Sequence, residues 1–68
     1  MVTEKIRAYV ALGSNLGDRM ANLDQASSRL ASYAGVYLDR SSPTYESPAA
    51  EFTDQPPFLN RVLALEVW

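Results

Sequence analysis

An α+β fold is predicted for this chain of 68 residues. It consists of three strands in one antiparallel-type sheet, covered on one face by a single helix. Three stretches predict it. Ile6 to Leu12 is apolar at every position but Arg7, which suits a strand. Met20, Leu23, Ala26, Ser27 and Leu30 recur at three- and four-residue steps, which suits one face of a helix. Phe58 to Trp68 alternates between two sets of side chains, which suits a second long strand.

Size and composition bound the rest. A chain of this length is at most one small domain, and such domains bury only roughly 60% of their unfolded surface. Cysteine is absent, which excludes disulfides and thiolate metal sites. Histidine is also absent, which removes the commonest general base and the commonest metal ligand. The apolar fraction of 47% is ordinary for a globular protein. Eight acidic and six basic residues, scattered in ones and twos, leave a net charge of −2. No basic stripe is present, so neither nucleic acid nor an anionic membrane is the expected partner. The polar start Met1-Val2-Thr3-Glu4-Lys5 does not read as a signal peptide, and with the missing cysteines it points to the cytoplasm.

The elements follow in order. Ile6-Arg7-Ala8-Tyr9-Val10-Ala11-Leu12 is expected to be a central strand covered on both faces. Gly13-Ser14-Asn15-Leu16-Gly17 reads as a tight strand-to-helix loop, with a glycine at each end. Asp18 is placed to cap a helix running from Arg19 to Ala34, with Gly35 as its C-cap. On that helix Arg19, Asn22, Gln25 and Arg29 lie outward. Val36 to Ser42 starts the second strand, which Pro43 interrupts, and extended structure resumes over Thr44-Tyr45-Glu46-Ser47. Pro48 to Pro57 carries three prolines and reads as a functional loop. In the last strand Leu59, Arg61, Leu63, Leu65 and Val67 face one way, and Phe58, Asn60, Val62, Ala64, Glu66 and Trp68 the other.

One right-handed crossover followed by a hairpin-like return makes the first part of a ferredoxin-like sheet, with the third strand between the first and the second. The first strand is then left as an open edge. The chain stops at Val67-Trp68 in mid-alternation, so residues 1–68 are expected to be the N-terminal portion of a single, longer domain.

Three segments carry a family resemblance. Ala8-Tyr9-Val10-Ala11-Leu12-Gly13-Ser14-Asn15-Leu16-Gly17-Asp18-Arg19 resembles the opening of the hydroxymethyldihydropterin pyrophosphokinases of folate synthesis. Ser42-Pro43-Thr44-Tyr45-Glu46-Ser47-Pro48 and Asp54-Gln55-Pro56-Pro57-Phe58-Leu59-Asn60 are similar to that family's pterin-pocket segments, in the same order and at similar spacing. The resemblance implies a magnesium- and ATP-dependent diphosphokinase that transfers pyrophosphate to the hydroxymethyl group of 6-hydroxymethyl-7,8-dihydropterin. By this likeness Phe58 would stack on the pterin ring and Asn60 would read its pyrimidine edge. Ser47, where the family often has threonine, would give a hydroxyl contact. Pro48 and Ala50 would line the pocket, Ala50 through its backbone. The likeness also places the ligands of ATP and Mg2+ beyond Trp68, together with a second helix and a catalytic loop. The intact protein would then be a monomer and this chain by itself inactive, with its open strand edge free to associate.

Simpler readings stand beside these. Phe58 could be a core residue and Asn60 an amide bonded to backbone. Gly13 to Gly17 invites a phosphate-loop reading, but it lacks the lysine of such a loop, and Asp18 would repel phosphate. Turn and cap geometry is the better reading there. Asp54 and Glu51 make a poor magnesium site without a third ligand and read as solvated loop charges. Tyr45 reads as a packed strand residue. The alternative for the whole chain is a small heterocycle-binding or strand-pairing module without catalysis.

Overall fold

The structure, a computed structural model, describes residues 4–49 and 54–68. In it the chain forms β1 (Ile6–Ser14), α1 (Arg19–Ala31), β2 (Val36–Ser41), β3 (Tyr45–Ser47) and β4 (Phe58–Val67). The strands make one sheet in the order β1-β4-β2, with β3 also paired to β4, and every pairing is antiparallel. The α+β class and the position of the last strand between the first and second agree with the sequence reading. The sheet holds four strands rather than three because Pro43 divides the expected second strand into β2 and β3.

Ser42 carries the ladder up to that break. Its backbone N–H donates to the Val62 carbonyl at 2.8 Å. Its hydroxyl accepts the Val62 N–H, also at 2.8 Å. Pro43 has no N–H to continue the ladder. A register shift between Leu38 and Arg40 bends β2 just ahead of it.

The start of α1 is as expected. The Asp18 carboxylate accepts the Ala21 N–H at 3.1 Å and satisfies one of the free donors of the first turn. Its end differs. The helix stops at Ala31, not Ala34, because the Ser32 hydroxyl donates to the Arg29 carbonyl at 2.7 Å and competes with continued helix. Gly35 is therefore not the C-cap. It turns the chain into β2 at φ +81°, and its carbonyl accepts the Trp68 N–H at 2.8 Å.

The core lies between α1 and one face of β4. Leu23, Leu63 and Leu65 are buried there. Arg61 shares that face. Its guanidinium meets Asp24 Oδ1 at 2.9 Å and donates to Ser27 Oγ at 3.2 Å and to Thr44 Oγ1 at 3.2 Å. Ser27 in turn donates to the Leu23 carbonyl at 2.8 Å, so this buried hydroxyl is satisfied.

The expectation that β1 is central and covered on both faces is corrected. It pairs with β4 on one side only and forms the sheet edge, and its residues alternate in exposure. The physical reason is that α1 covers a single face. Among the described residues no helix packs on the other face, so Tyr9 and Tyr37 stand exposed on it. Among the described residues no helix is long and apolar enough to cross a membrane.

Candidate functional site

The site lies on the face of the sheet opposite α1, at the end where β1 and β3 both meet β4. Register brings it together. Gly13 pairs with Asn60, Tyr45 also pairs with Asn60, and Ser47 pairs with Phe58. Side chains at paired positions in a sheet share a face, so Asn60, Phe58, Ser47 and the open side of Gly13 converge.

Asn60 is held firmly. Its Nδ2 donates to Ser47 Oγ at 2.8 Å and to the Tyr45 carbonyl at 3.3 Å. Phe58 is half-buried beside it. Gly13 lets both side chains pack close against its backbone. A methyl group there would stand 3.3 Å from Asn60 Oδ1 and 3.6 Å from Phe58 Cδ1. The arrangement sets an aromatic ring and an amide side by side on the uncovered face of the sheet, against the bare strand at Gly13. Such a surface suits a flat, nitrogen-bearing ring.

The sequence reading placed Gly13 in a turn. The structure places it inside β1 without a positive φ, so its use is space rather than backbone freedom. Gly17 does carry the turn, at φ 71°. Tyr45 is also corrected. It is 50% exposed rather than packed, because it lies on the uncovered face, and its backbone carbonyl is what serves the site.

The loops flanking the site are tied to each other. Arg19, at the start of α1, donates to the Pro57 carbonyl at 2.8 Å and pairs with Glu46 at 3.1 Å. It thereby fixes the residue before Phe58 against β3. Asn15 Nδ2 donates to Gln55 Oε1 at 3.1 Å, which joins the loop after β1 to the proline loop. Asn22, expected to face outward, instead donates to Ser14 Oγ at 3.0 Å and to the Leu16 carbonyl at 3.1 Å. Arg19 turns toward the sheet rather than outward for a similar reason, since a bare carbonyl and a carboxylate await it there.

Of the five expected pocket residues, Ser47, Phe58 and Asn60 are brought into one cluster. Pro48 follows β3 directly and is exposed. Ala50 lies outside the described residues, as does Glu51 of the suggested carboxylate pair. Asp54 is exposed in a turn. Among the described residues no three metal-ligating side chains come together.

A separate cavity of about 440 Å³ opens on the same sheet face, lined by Arg7, Tyr9, Asp39, Arg40, Val62 and Ala64 among others. It excludes both Phe58 and Asn60. Arg7 meets Asp39 and Glu66 at 2.9 Å each, and Lys5 meets Glu66 at 2.8 Å. The hydrogen bond that Arg7 donates to the Asp39 carboxylate holds its guanidinium above its ordinary pKa. The charges beside this cavity are thus largely spent on one another.

The family described as 7,8-dihydro-6-hydroxymethylpterin-pyrophosphokinase (HPPK) matches residues 9–68. The chain is 43% identical over 60 residues to a 2-amino-4-hydroxy-6-hydroxymethyldihydropteridine pyrophosphokinase of Bacillus subtilis (strain 168), covering 88% of this chain and 35% of that protein. It is 42% identical over 60 residues to a protein of the same name from Methylorubrum extorquens, covering 88% of this chain and 38% of that protein. It is 41% identical over 58 residues to the mitochondrial folate synthesis bifunctional protein of Pisum sativum, covering 85% of this chain and 11% of that protein. The chain therefore spans 11% to 38% of the length of these three relatives.

Proposed function

The chain belongs to the 7,8-dihydro-6-hydroxymethylpterin-pyrophosphokinase family, and on that premise we propose that it forms one wall of a pterin site. The enzyme it is part of transfers pyrophosphate from ATP to the hydroxymethyl group of 6-hydroxymethyl-7,8-dihydropterin in folate biosynthesis. The observation that supports this reading is the register of β3 and β4, which sets Phe58, Asn60 and Ser47 side by side on the uncovered face of the sheet. Phe58 supplies a stacking face, which contributes on the order of 1 kcal/mol beyond the area it buries. Asn60 reads the pyrimidine edge, and a ring with the wrong edge leaves a polar group unpaired. Ser47 and Pro48 border the ring.

The contribution of these residues is positioning. A ring held at a fixed angle presents its hydroxymethyl oxygen in one direction, which is what in-line attack on a phosphorus requires. When bound, magnesium and ATP supply the charge neutralisation and the transferred group. The described residues lack the cluster of carboxylates that magnesium needs, so they do not fit that ion. No phosphate step is assigned to them. The reading places the parent enzyme in the cytoplasm, as a monomer acting on small molecules. The scattered charges support the last point alone, since they form no basic stripe for nucleic acid or an anionic membrane.

Titration of 6-hydroxymethylpterin into the purified chain, followed by calorimetry, tests the proposal. The chain is expected to bind the ring weakly and to turn over no ATP. Phe58→Ala and Asn60→Ala are each expected to abolish binding while the fold persists. Binding that survives both substitutions would sink the assignment of this wall.

A further inference from the structure

Resting on the pterin reading, we infer that Arg19 is a positioning residue for the ring site. From the helix side of the sheet it ties β3 to the start of β4, and it thereby sets how Ser47 and Phe58 stand to each other.

The ladder between these two strands is short. Among the described residues β3 has three residues and pairs with β4 alone. Its pairs are Tyr45 with Asn60, Glu46 with Leu59 and Ser47 with Phe58, so the last of them lies at the site. Pro56 and Pro57 come directly before Phe58 and have no N–H to carry the ladder further. The end of a short ladder opens most readily, so a further tie is needed to keep this pair closed.

Arg19 supplies that tie. It is the first residue of α1, and the Asp18 cap at Ala21 fixes the turn that carries it. One nitrogen of its guanidinium, Nη1, donates to the Pro57 carbonyl at 2.8 Å and to Glu46 Oε2 at 3.1 Å. Pro57 precedes Phe58 and Glu46 precedes Ser47, so a single charged donor grips both strands one residue from the site. The Glu46 side chain is 55% exposed, and an ion pair that open contributes little by itself. The short bond to the carbonyl is the firmer half, because a charged donor strengthens it. Side chains alternate along a strand, so Glu46 leaves the sheet on the side of α1 and Ser47 on the other. Arg19 therefore acts on a bound ring through the backbone and does not touch it. A pair left loose must be ordered at binding, and that ordering lowers affinity.

The test titrates 6-hydroxymethylpterin into the unmodified chain, Arg19→Met, Arg19→Lys and Glu46→Gln. Amide hydrogen exchange is measured on each form without ligand. Arg19→Met keeps an unbranched side chain and removes the donor. It is expected to weaken ring binding by roughly threefold to tenfold, the cost of ordering one or two groups at binding. Tm is expected to move by no more than about 4 °C, as for a residue outside the core. Exchange is expected to quicken where Tyr45–Ser47 pair with β4 and to stay unchanged where Ile6 to Val10 pair with it. Arg19→Lys retains a charged donor and is expected to recover most of the affinity. Glu46→Gln leaves the Pro57 bond in place and is expected to weaken binding less than Arg19→Met. If Arg19→Met does not fold, Glu46→Gln carries the test, with the same local pattern at smaller size.

Ring affinity unchanged in Arg19→Met, or in Glu46→Gln where that variant carries the test, overturns the inference and leaves the pterin reading standing. Weaker binding with faster exchange along both ladders also overturns it, since it marks a merely structural arginine. Failure of the unmodified chain to bind the ring overturns both readings together.

Discussion

Replacing Gly13 with alanine separates the two uses a glycine can have. The added methyl would stand 3.3 Å from Asn60 Oδ1 and 3.6 Å from Phe58 Cδ1. The backbone there is ordinary strand, without a positive φ, so alanine fits its dihedral angles. Removing a strand glycine stabilises by roughly 0.5–1 kcal/mol through the unfolded chain. The contact with Asn60 is tight by a few tenths of an ångström and offsets part of that gain. Net stability is expected to change by less than about 1 kcal/mol, which for a domain of this size moves Tm by about 4–8 °C at most. Ring binding is a different matter. The methyl presses on Asn60 and Phe58 and shifts the two side chains that a ring would meet. Losing one hydrogen bond removes about 1 kcal/mol. Losing the stacking removes about as much again. Together these weaken Kd by roughly thirtyfold. A thermal melt and a pterin titration on Gly13→Ala read the two effects separately. An unchanged Kd in a folded variant refutes the placement of the ring beside Gly13. A collapse of Tm shows instead that the glycine serves the backbone.

Other substitutions test the fold that holds this site. Leu63 is fully buried, and Leu63→Ala is expected to cost about 2–5 kcal/mol in urea denaturation, a large share of what a domain this small possesses. An unshifted midpoint would contradict the core assignment. Asp18→Ala removes the helix cap at Ala21 and is expected to cost about 1 kcal/mol, whereas Asp18→Asn retains most of the cap. Gly35→Ala forces a side chain to φ +81°, 3.2 Å from the Trp68 carbonyl, and is expected to cost about 1–2 kcal/mol, read from the same denaturation curves.

What the sequence disclosed divides along range. Asp18 was legible as a cap because its carboxylate answers a donor three residues away. Pro43 was legible as a break because its missing N–H acts on the spot. The two faces of β4 were legible from alternation, including the placement of Arg61 among leucines against the helix. The end of α1 was misjudged because a serine bond at Ser32 competes locally with a pattern that runs on to Ala34. The long-range facts were hidden. Gly13 looks the same in sequence whether it turns the chain or lets side chains pack against a strand. Only its pairing with Asn60 decides. The bond from Asn60 to Ser47 joins positions that nothing in the sequence marks as partners. Asn22 and Arg19 looked like solvated helix residues, because their acceptors lie on the Ser14–Leu16 stretch and at Pro57. In the site, the aromatic and the amide were readable from alternation and resemblance. The orientation of the amide and its close packing against Gly13 were not.

The pairing of β1, β2 and β3 with β4 alone has a consequence for how this chain comes into being. As the polypeptide leaves the ribosome, three strands emerge in turn and none of them has a neighbour to bind. Only α1 can form from local contacts, and an isolated helix of its length is marginal in water. The sheet must wait for Phe58–Val67. Its outermost register, Ile6 against Val67, then closes almost the entire chain in one step. Long closures of this kind are slow, and unpaired strands are prone to find one another while they wait. The nascent chain is thus most exposed to misassembly just before the residues that build the ring site arrive. A ribosome that stalls ahead of Phe58 would release not a partial fold but three orphan strands.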